Sequence, residues 1–250
     1  AQWGVGWAWI VAVCIFATSG AILTTLRGVG TREGRSDKSV NSEFIEGLNY
    51  VRNNPVVILI LLSTLVNGLL GRSFIELLPA VSGLLLMGGA SELAWLTAAA
   101  GTGAVLGGLL MSRQAAHVMG LYRLILVALL AATLLLATLN WLDALISLAV
   151  VVGLITFTTT IAGTGCQALT QLLIDPNYHG RVMSLWSMTM MASPALGAAT
   201  NGALAEWAGF VTTFAVASAL GVLAVLALYA RRRVVSDFAP EAIATTSDSR

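Results

Sequence analysis

The chain has 250 residues, of which 57% are hydrophobic and only 10% are charged. A soluble globular protein carries about 25% charged residues, so these few charges cannot cover a water-exposed surface of this size. The formal net charge of +1 and the lack of a clustered basic helix or an aromatic RNA motif give no support to a nucleic-acid partner. Long apolar blocks separated by short polar ones indicate an all-α membrane protein in contact with the lipid bilayer.

Seven apolar blocks are long enough to cross a hydrocarbon core of about 30 Å, which takes about 20 residues of α-helix. The first block lacks the basic flank and the cleavage site of a signal peptide. The breaks between blocks are short and rich in Gly, Asn, Asp or Pro, which predicts tight helical hairpins. The predicted spans are Trp3–Leu26, Val56–Leu78, Leu93–Ser112, Met119–Leu139, Leu142–Cys166, Val182–Leu204 and Trp207–Tyr229.

The longest polar stretch, Arg27–Asn54, separates the first span from the other six. Its later part places Phe44, Leu48 and Val51 at helical spacing, which predicts a short amphipathic helix on the inner membrane surface. Such a segment suits a hinge between two bundles. The predicted order is a single helix over 1–26, a cytoplasmic linker over 27–54, a six-helix bundle over 55–230 and a disordered tail over 231–250.

Orientation follows from the basic residues, because cytoplasmic loops of membrane proteins are enriched in Lys and Arg. Twelve of the 13 basic residues fall on one set of alternate loops, and the opposite loops carry only acidic residues. The basic side is therefore predicted to be cytoplasmic, with the C-terminus inside. Three tryptophans at the predicted outer boundaries, Trp95, Trp141 and Trp207, support the span limits.

One charged pair lies within an apolar block. An ionisable group in a span costs about 2.5 to 3.5 kcal/mol at the bilayer centre, so it usually faces a cavity or a partner. Arg72 lies about 24 Å along the helix from Val56, near the outer interface. Either Arg72 snorkels outward with Glu76 as its i,i+4 partner, or the two residues form an outer gate or contact a substrate.

Several uncharged residues are candidates for a cavity wall. Asn67, Gln167 and Gln171 could line a cavity or form hydrogen bonds between helices. Met188 and Met191 fit either a packed core or a permissive pocket.

Other residues point to packing and to a gate. Gly103 and Gly107 give the third span a small-residue face for close helix packing, and Pro194 with Gly197 predicts a kink in the sixth. Gly180 and Arg181 begin that span on the basic side, where the cation could hold neighbouring helix ends together as a cytoplasmic gate or serve as a positive-inside anchor.

No catalytic motif is present, so an enzyme is not expected. Cys14 and Cys166 both lie inside apolar blocks, and neither has a second cysteine or a histidine at metal-ligand spacing. We predict two free thiols, no disulfide, no metal and no cofactor.

Two groups of motifs carry a resemblance: Phe44–Pro55 with Gly71-Arg72 and Leu77-Leu78-Pro79, and later Gln171-Leu172-Leu173 with Asp175-Pro176 and Gly180–Leu185. The first group resembles the middle loop and seventh helix of exporters in the major facilitator superfamily, specifically its enterobactin-exporter-like branch. The second group resembles their loop between helices ten and eleven. The resemblance covers most of the chain from Glu43 to Tyr229.

This resemblance implies that the seven spans are helices six to twelve of a twelve-helix transporter, with the helix over 1–26 as the last helix of the N-terminal bundle. The chain begins with Ala1 rather than Met, and we expect a C-terminal fragment whose partner is the missing N-terminal half. The implied function is secondary-active export of a small amphipathic molecule, such as a siderophore or drug, coupled to protons across a bacterial inner membrane. Pro194 and Gly197 resemble the proline-glycine motif of exporters in this superfamily.

Two other classes fit seven spans. A seven-helix receptor would share this topology, but a retinal pump is excluded because Lys38, the only lysine, lies in a loop rather than in the last helix. A membrane scaffold without transport activity is the third possibility.

Overall fold

A computed structural model describes residues 5–25, 40–85, 89–114, 118–142, 144–175 and 177–235 of the chain. Within these ranges the chain forms helices and turns and no strand. Helices suit a lipid environment because they satisfy their own backbone hydrogen bonds. Two units are each compact by themselves: residues 1–39 contain helix α1 (Val5–Thr25), and residues 40–250 contain the other described helices.

The second unit begins with α2, and the helix that follows it is interrupted by a π-helical segment. Five long helices then complete the described bundle, with a short 3-10 turn, Leu139–Trp141, after α7. The elements are α2 (Val40–Asn53), α3 (Pro55–Val66), the π-helical segment (Asn67–Arg72), α4 (Ser73–Glu76), α5 (Leu78–Leu85), α6 (Ala90–Ser112), α7 (Val118–Thr138), α8 (Leu145–Leu173), α9 (His179–Ala208) and α10 (Phe210–Ala230).

Five stretches of the described chain are long and apolar enough, by length and composition, to cross a membrane. They correspond to five of the seven predicted spans. The other two predicted spans coincide with the 21-residue α1 and the 30-residue α9, where membrane crossing stays a prediction. The five stretches are Pro55–Glu76, Ala90–Ser112, Val118–Trp141, Leu145–Leu173 and Phe210–Ala230.

The helix boundaries differ from the predicted span limits in three places. The second span is not one continuous α-helix, and the chain after it forms α5 rather than a loop. Helix α8 continues to Leu173, beyond the predicted end at Cys166, because Leu169 and Leu173 pack into the same apolar cluster as Cys166. Trp207 belongs to the last turn of α9, and the break comes at Gly209, whose φ of 82° favours glycine.

Local sequence explains where two helices begin. Asn54 caps α3, because its side-chain Oδ1 accepts a hydrogen bond of 3.4 Å from the Val57 backbone N–H. Pro55 occupies the first helical position, where a missing N–H costs nothing. At the start of α6, the Gly89 N–H donates to Glu92 Oε2 over 2.8 Å.

Helix α8 lies at the centre of the bundle, in contact with α6, α7 and α3. One apolar cluster joins α3, α7, α8 and α10, and it includes the fully buried Tyr122, whose hydroxyl donates to the Leu228 carbonyl over 3.3 Å. A second cluster joins α4 to α6, α7, α8 and α10 around Phe74 and Phe214, whose ring centroids are 5.6 Å apart. These contacts hold the π-helical segment inside the bundle.

Helix α2, predicted as part of a linker on the membrane surface, packs against α3 and α9. Val51 is buried in an apolar cluster with Val57, Ile174 and Val182. Phe44 and Leu48, predicted to share its apolar face, are instead exposed. The predicted single face is therefore divided between a packed part and an open part.

The start of the predicted disordered tail is ordered. Residues 232–235 form a further helical turn, and Val235 is buried in the cluster that includes Leu228. The rest of the predicted tail, residues 236–250, lies outside the described residues.

Candidate functional site

The π-helical segment Asn67–Arg72 is the most unusual backbone in the described bundle. A π-helix forms i→i+5 hydrogen bonds, is rare, and often marks a functional site. Helices α7, α8, α9 and α10 all contact this segment. Gly68 lies so close to α9 that Ser193 Oγ occupies the space a β-carbon would need. Most of the irregular turn is thus packed against other helices, which suits irregular backbone in a membrane protein.

Asn67 lies fully buried at the start of this segment. Its side-chain Nδ2 donates to the Thr159 carbonyl of α8 over 3.2 Å, which matches the interhelical interpretation of this residue. Its Oδ1 and the hydroxyl of Ser193 have no hydrogen-bond partner within the part of the chain that the structure describes. An unsatisfied buried polar group typically costs about 1–3 kcal/mol, so this contact between the π-helical segment and α9 is not optimised for stability.

Helix α9 holds the far end of the π-helical segment through side-chain hydrogen bonds. Asn201 Nδ2 donates to the Leu69 carbonyl over 3.4 Å and to Ser73 Oγ over 3.2 Å. Ser73 Oγ in turn donates to the Leu69 carbonyl over 2.6 Å. The Leu69 carbonyl is therefore stabilised by two side chains in a stretch where the regular α-helical pattern is broken.

A pocket of about 320 Å³ lies between the end of the π-helical segment and α9. It brings together four of the residues predicted from sequence to form a cavity, a gate or a kink: Arg72, Glu76, Met191 and Pro194. Arg72 and Glu76 are both exposed. The i,i+4 pair between them, one of the two alternatives open from the sequence, is not formed, because neither residue takes part in an ion pair within the described part of the chain.

Three pocket residues were not predicted, namely Met190, Ala195 and Ala198. Together with Met191 and Pro194 they repeat at three- and four-residue intervals, the spacing of one helix face. That periodicity was present in the sequence, and it would have identified them once Arg72 was known to face α9.

Four predicted cavity residues do not line this pocket, and Asn67, buried at the start of the π-helical segment, is one of them. Gln167 is half-buried and Gln171 exposed near the C-terminal end of α8, and neither lines the pocket with Arg72. Met188 is 59% exposed and also lies outside the lining.

Two glycines of α6, Gly103 and Gly107, lie against α8. A β-carbon on Gly103 would meet the Gly153 carbonyl, and one on Gly107 would lie 2.8 Å from the Phe157 carbonyl oxygen. Beside this contact, α6 and α8 form an open groove of about 800 Å³ lined almost entirely by apolar residues, including Trp95, Leu106 and Phe157. Without a charged group, the groove offers less for selective recognition than the smaller pocket beside Arg72.

Comparison with known families decides what kind of protein contains this pocket. The sequence model described as transmembrane secretion effector, within the major facilitator superfamily, matches residues 1–246. The chain belongs to the transmembrane secretion effector family. None of the curated proteins compared with the chain matches it. The match confirms the predicted superfamily, and it means that the pocket belongs to a transporter. Members of this family are multi-pass membrane proteins and not enzymes.

A second group of contacts in this secretion-effector chain lies at the end of the bundle where α2 meets α9. Arg181 forms an ion pair of 2.9 Å with Glu46 of α2, next to the exposed Gly180. The rings of Tyr50 and Tyr178 stack with centroids 4.4 Å apart, and the Tyr50 hydroxyl accepts the Asp175 N–H over 3.3 Å. Arg181 therefore connects helices at this end, which is the arrangement that its predicted gate role requires.

The Glu46–Arg181 pair is expected to be weak, because the two side chains remain 34% and 24% exposed. In a double-mutant cycle of Glu46→Gln and Arg181→Gln, we expect a coupling free energy of about 0.2–1 kcal/mol. Chemical unfolding in detergent micelles would measure it. A coupling above about 2 kcal/mol would show a buried, permanent pair, and a gate that must open would then need another contact.

Within the described residues, no group of three or more His, Cys, Asp or Glu side chains is arranged to hold a metal. Cys14 is exposed and Cys166 is buried, and both are free thiols, as predicted.

Proposed function

We propose that this secretion-effector protein exports a small amphipathic molecule, such as a siderophore or drug, across a bacterial inner membrane. The observation that carries the proposal is the pocket in which Arg72 and Glu76 face Met190, Met191 and the small residues of α9. A few polar groups on a mainly apolar wall are typical of small-molecule sites. The volume of about 320 Å³ is at the lower end for such sites, so this unit contributes part of a site.

The proposed mechanism is alternating access, in which bundles rock about a central site. Two features of the chain support it. The pocket combines residues from two elements, the π-helical segment with α4 on one side and α9 on the other, so a displacement of α9 would reshape it. The partly exposed Glu46–Arg181 pair is expected to have the modest strength that a reversible gate needs.

The remaining parts of the proposal come from the sequence. The concentration of basic residues on alternate loops supports a cytoplasmic C-terminus. The resemblance to exporters supports coupling to protons, and it assigns the spans to helices six to twelve. On that assignment, a bundle of helices one to five completes the site.

Transport by inverted membrane vesicles tests this proposal. Vesicles from cells that express the complete gene are energised with a proton gradient and supplied with ethidium or with enterobactin, a catecholate siderophore. We expect gradient-dependent uptake that a protonophore abolishes, and a rate about tenfold or more lower for Arg72→Ala, which corresponds to a loss of about 1.4 kcal/mol.

Arg123→Ala is the matched control, because Arg123 is exposed on α7 and lies outside the pocket. It should transport at the rate of the unchanged protein. Uptake that ignores the gradient would contradict proton coupling. If neither compound were transported, or if both variants behaved alike, the proposed site would be wrong and a scaffold role would be favoured.

A further inference from the structure

Among the residues that the structure describes, neither charged residue of the pocket forms an ion pair, although the two lie four residues apart on one helical stretch. We infer that the pocket binds a zwitterionic amphiphile, with an anionic group on Arg72, an ammonium group on Glu76 and an apolar body on α9. This inference rests on the proposed function, since it names the substrate class of the same site.

The opposite charges argue against a ligand of single charge. An anion that approaches Arg72 is repelled by Glu76, and a cation that approaches Glu76 is repelled by Arg72, so each leaves one protein charge unmatched. A zwitterion matches both. Four residues of α-helix correspond to about 6 Å along the axis, which suits an anionic group and an ammonium group joined by a short carbon linker.

The two protein charges differ in how they recognise a partner. The planar guanidinium of Arg72 can bind a carboxylate or a phosphate through two parallel hydrogen bonds. The Glu76 carboxylate accepts hydrogen bonds, so it favours a primary ammonium, which donates three, over a quaternary ammonium, which donates none. The predicted ligand therefore carries a primary amine beside its acidic group.

The opposite wall of the pocket favours an apolar and variable body. Met191 is 79% exposed beside the half-buried Met190, and thioether side chains adapt to ligands of different shape. Pro194, Ala195 and Ala198 are small and present a low, flat surface. The charged groups fix the ligand's polar end, and this wall restricts its apolar end only weakly.

Two sources could supply this chemistry. One is a membrane lipid with an ethanolamine phosphate headgroup, and the other is a soluble amino acid with an apolar side chain. Both have a primary ammonium close to an anionic group on an apolar body. Probes with matched chains separate them: dodecanoyl lysophosphatidylethanolamine for the lipid and 2-aminododecanoic acid for the soluble source, with dodecanoic acid and dodecylamine as probes of single charge.

Binding is measured by thermophoresis on the purified chain in phosphatidylglycerol nanodiscs, which contain no competing zwitterionic lipid. We expect at least one zwitterionic probe to bind about tenfold or more tightly than both probes of single charge. Preference for the lysolipid would identify a lipid, and preference for the amino acid would identify a soluble compound. Equal binding of dodecylamine or dodecanoic acid and the better zwitterion would overturn the inference.

Charge variants locate the site. Arg72→Gln should weaken zwitterion binding about tenfold while leaving dodecylamine binding equal or stronger, and Glu76→Gln should do the converse with dodecanoic acid. The matched controls, Arg123→Gln and Glu206→Gln, change exposed residues outside the pocket and should bind like the unchanged chain. If pocket and control variants gave the same affinities, the inference would be wrong.

A charge-swapped variant, Arg72→Glu with Glu76→Arg, retains both charges and guards against a folding defect in the single variants. It should recover part of the zwitterion affinity, whereas no recovery in a folded variant counts against the proposed charge matching.

The outcomes of these binding experiments are separable from those of the transport test of the proposed function. Zwitterion binding without gradient-driven uptake would refute transport, and uptake of ethidium without zwitterion preference would refute only this inference.

Discussion

Replacing Gly103 by alanine should destabilise the bundle by about 1–3 kcal/mol, the usual cost of overpacking a close contact. The new β-carbon would meet the Gly153 carbonyl oxygen, and it would lie 2.8 Å from the Gly153 carbonyl carbon and 3.1 Å from the Phe157 nitrogen. These are backbone atoms, so no side chain can rotate away. Helices α6 and α8 would have to separate, and in lipid their association depends on close packing rather than on the exclusion of water.

Gly101→Ala and Gly108→Ala are matched controls on the same helix, because a β-carbon at either position has no atom within 4 Å. Alanine favours a helix by up to about 1 kcal/mol over glycine, so both controls should be equally stable or slightly more stable. Unfolding in mixed micelles of increasing SDS content would measure all three. If Gly103→Ala were as stable as the controls, the close α6–α8 contact would not exist in the folded protein.

The sequence was sufficient to predict the class of fold and most of the membrane spans. Blocks such as Met119–Leu139 differ from α7 by only a few residues, because the hydrocarbon thickness fixes both the length and the composition of a span. Hydropathy does not show how far a helix continues beyond its apolar block. The predicted limits therefore missed the end of α8 at Leu173, which packs in the core, and the turn at Gly209, which follows rather than precedes Trp207.

The π-helical segment could not be predicted in this way. A π-helical turn leaves the apolar character of the span unchanged, and it alters only which residues share a face. The sequence left open whether Arg72 and Glu76 pair with each other or face a cavity. In the structure the π-helical segment ends at Arg72, and both charged residues line the pocket without pairing.

The site was predictable only in part, because the sequence gives depth in the membrane but not direction. Arg72, Met191 and Pro194 were singled out for their chemistry, and folding brings them together. Gln167 and Gln171 have similar chemistry, but they lie near the C-terminal end of α8, away from the pocket lining. Without knowing which face of α8 contacts the π-helical segment, no sequence pattern could separate these glutamines from Asn67.

Replacing Gly197 by alanine should impair both folding and transport, because Gly197 allows α9 to lie directly on the π-helical segment. A β-carbon there would meet the Leu69 carbonyl oxygen, and it would lie 2.8 Å from Leu69 Cα and 2.7 Å from Ser73 Cβ. The Leu69 carbonyl also accepts the hydrogen bonds of Asn201 and Ser73. We expect a loss of about 1–3 kcal/mol in the free energy of unfolding.

Gly202→Ala is the control for this effect, because Gly202 is also on α9. A β-carbon at Gly202 would make only an ordinary contact of 3.8 Å with the side chain of Leu77. The control should keep its stability and its transport rate in inverted vesicles. Gly197→Ala should transport about tenfold more slowly even at a temperature where it stays folded, because separating α9 from Leu69 moves Pro194 and Met191 relative to Arg72. A folded Gly197→Ala protein with an unchanged rate would show that the pocket tolerates this separation, and the substrate path would then have to lie elsewhere in the bundle.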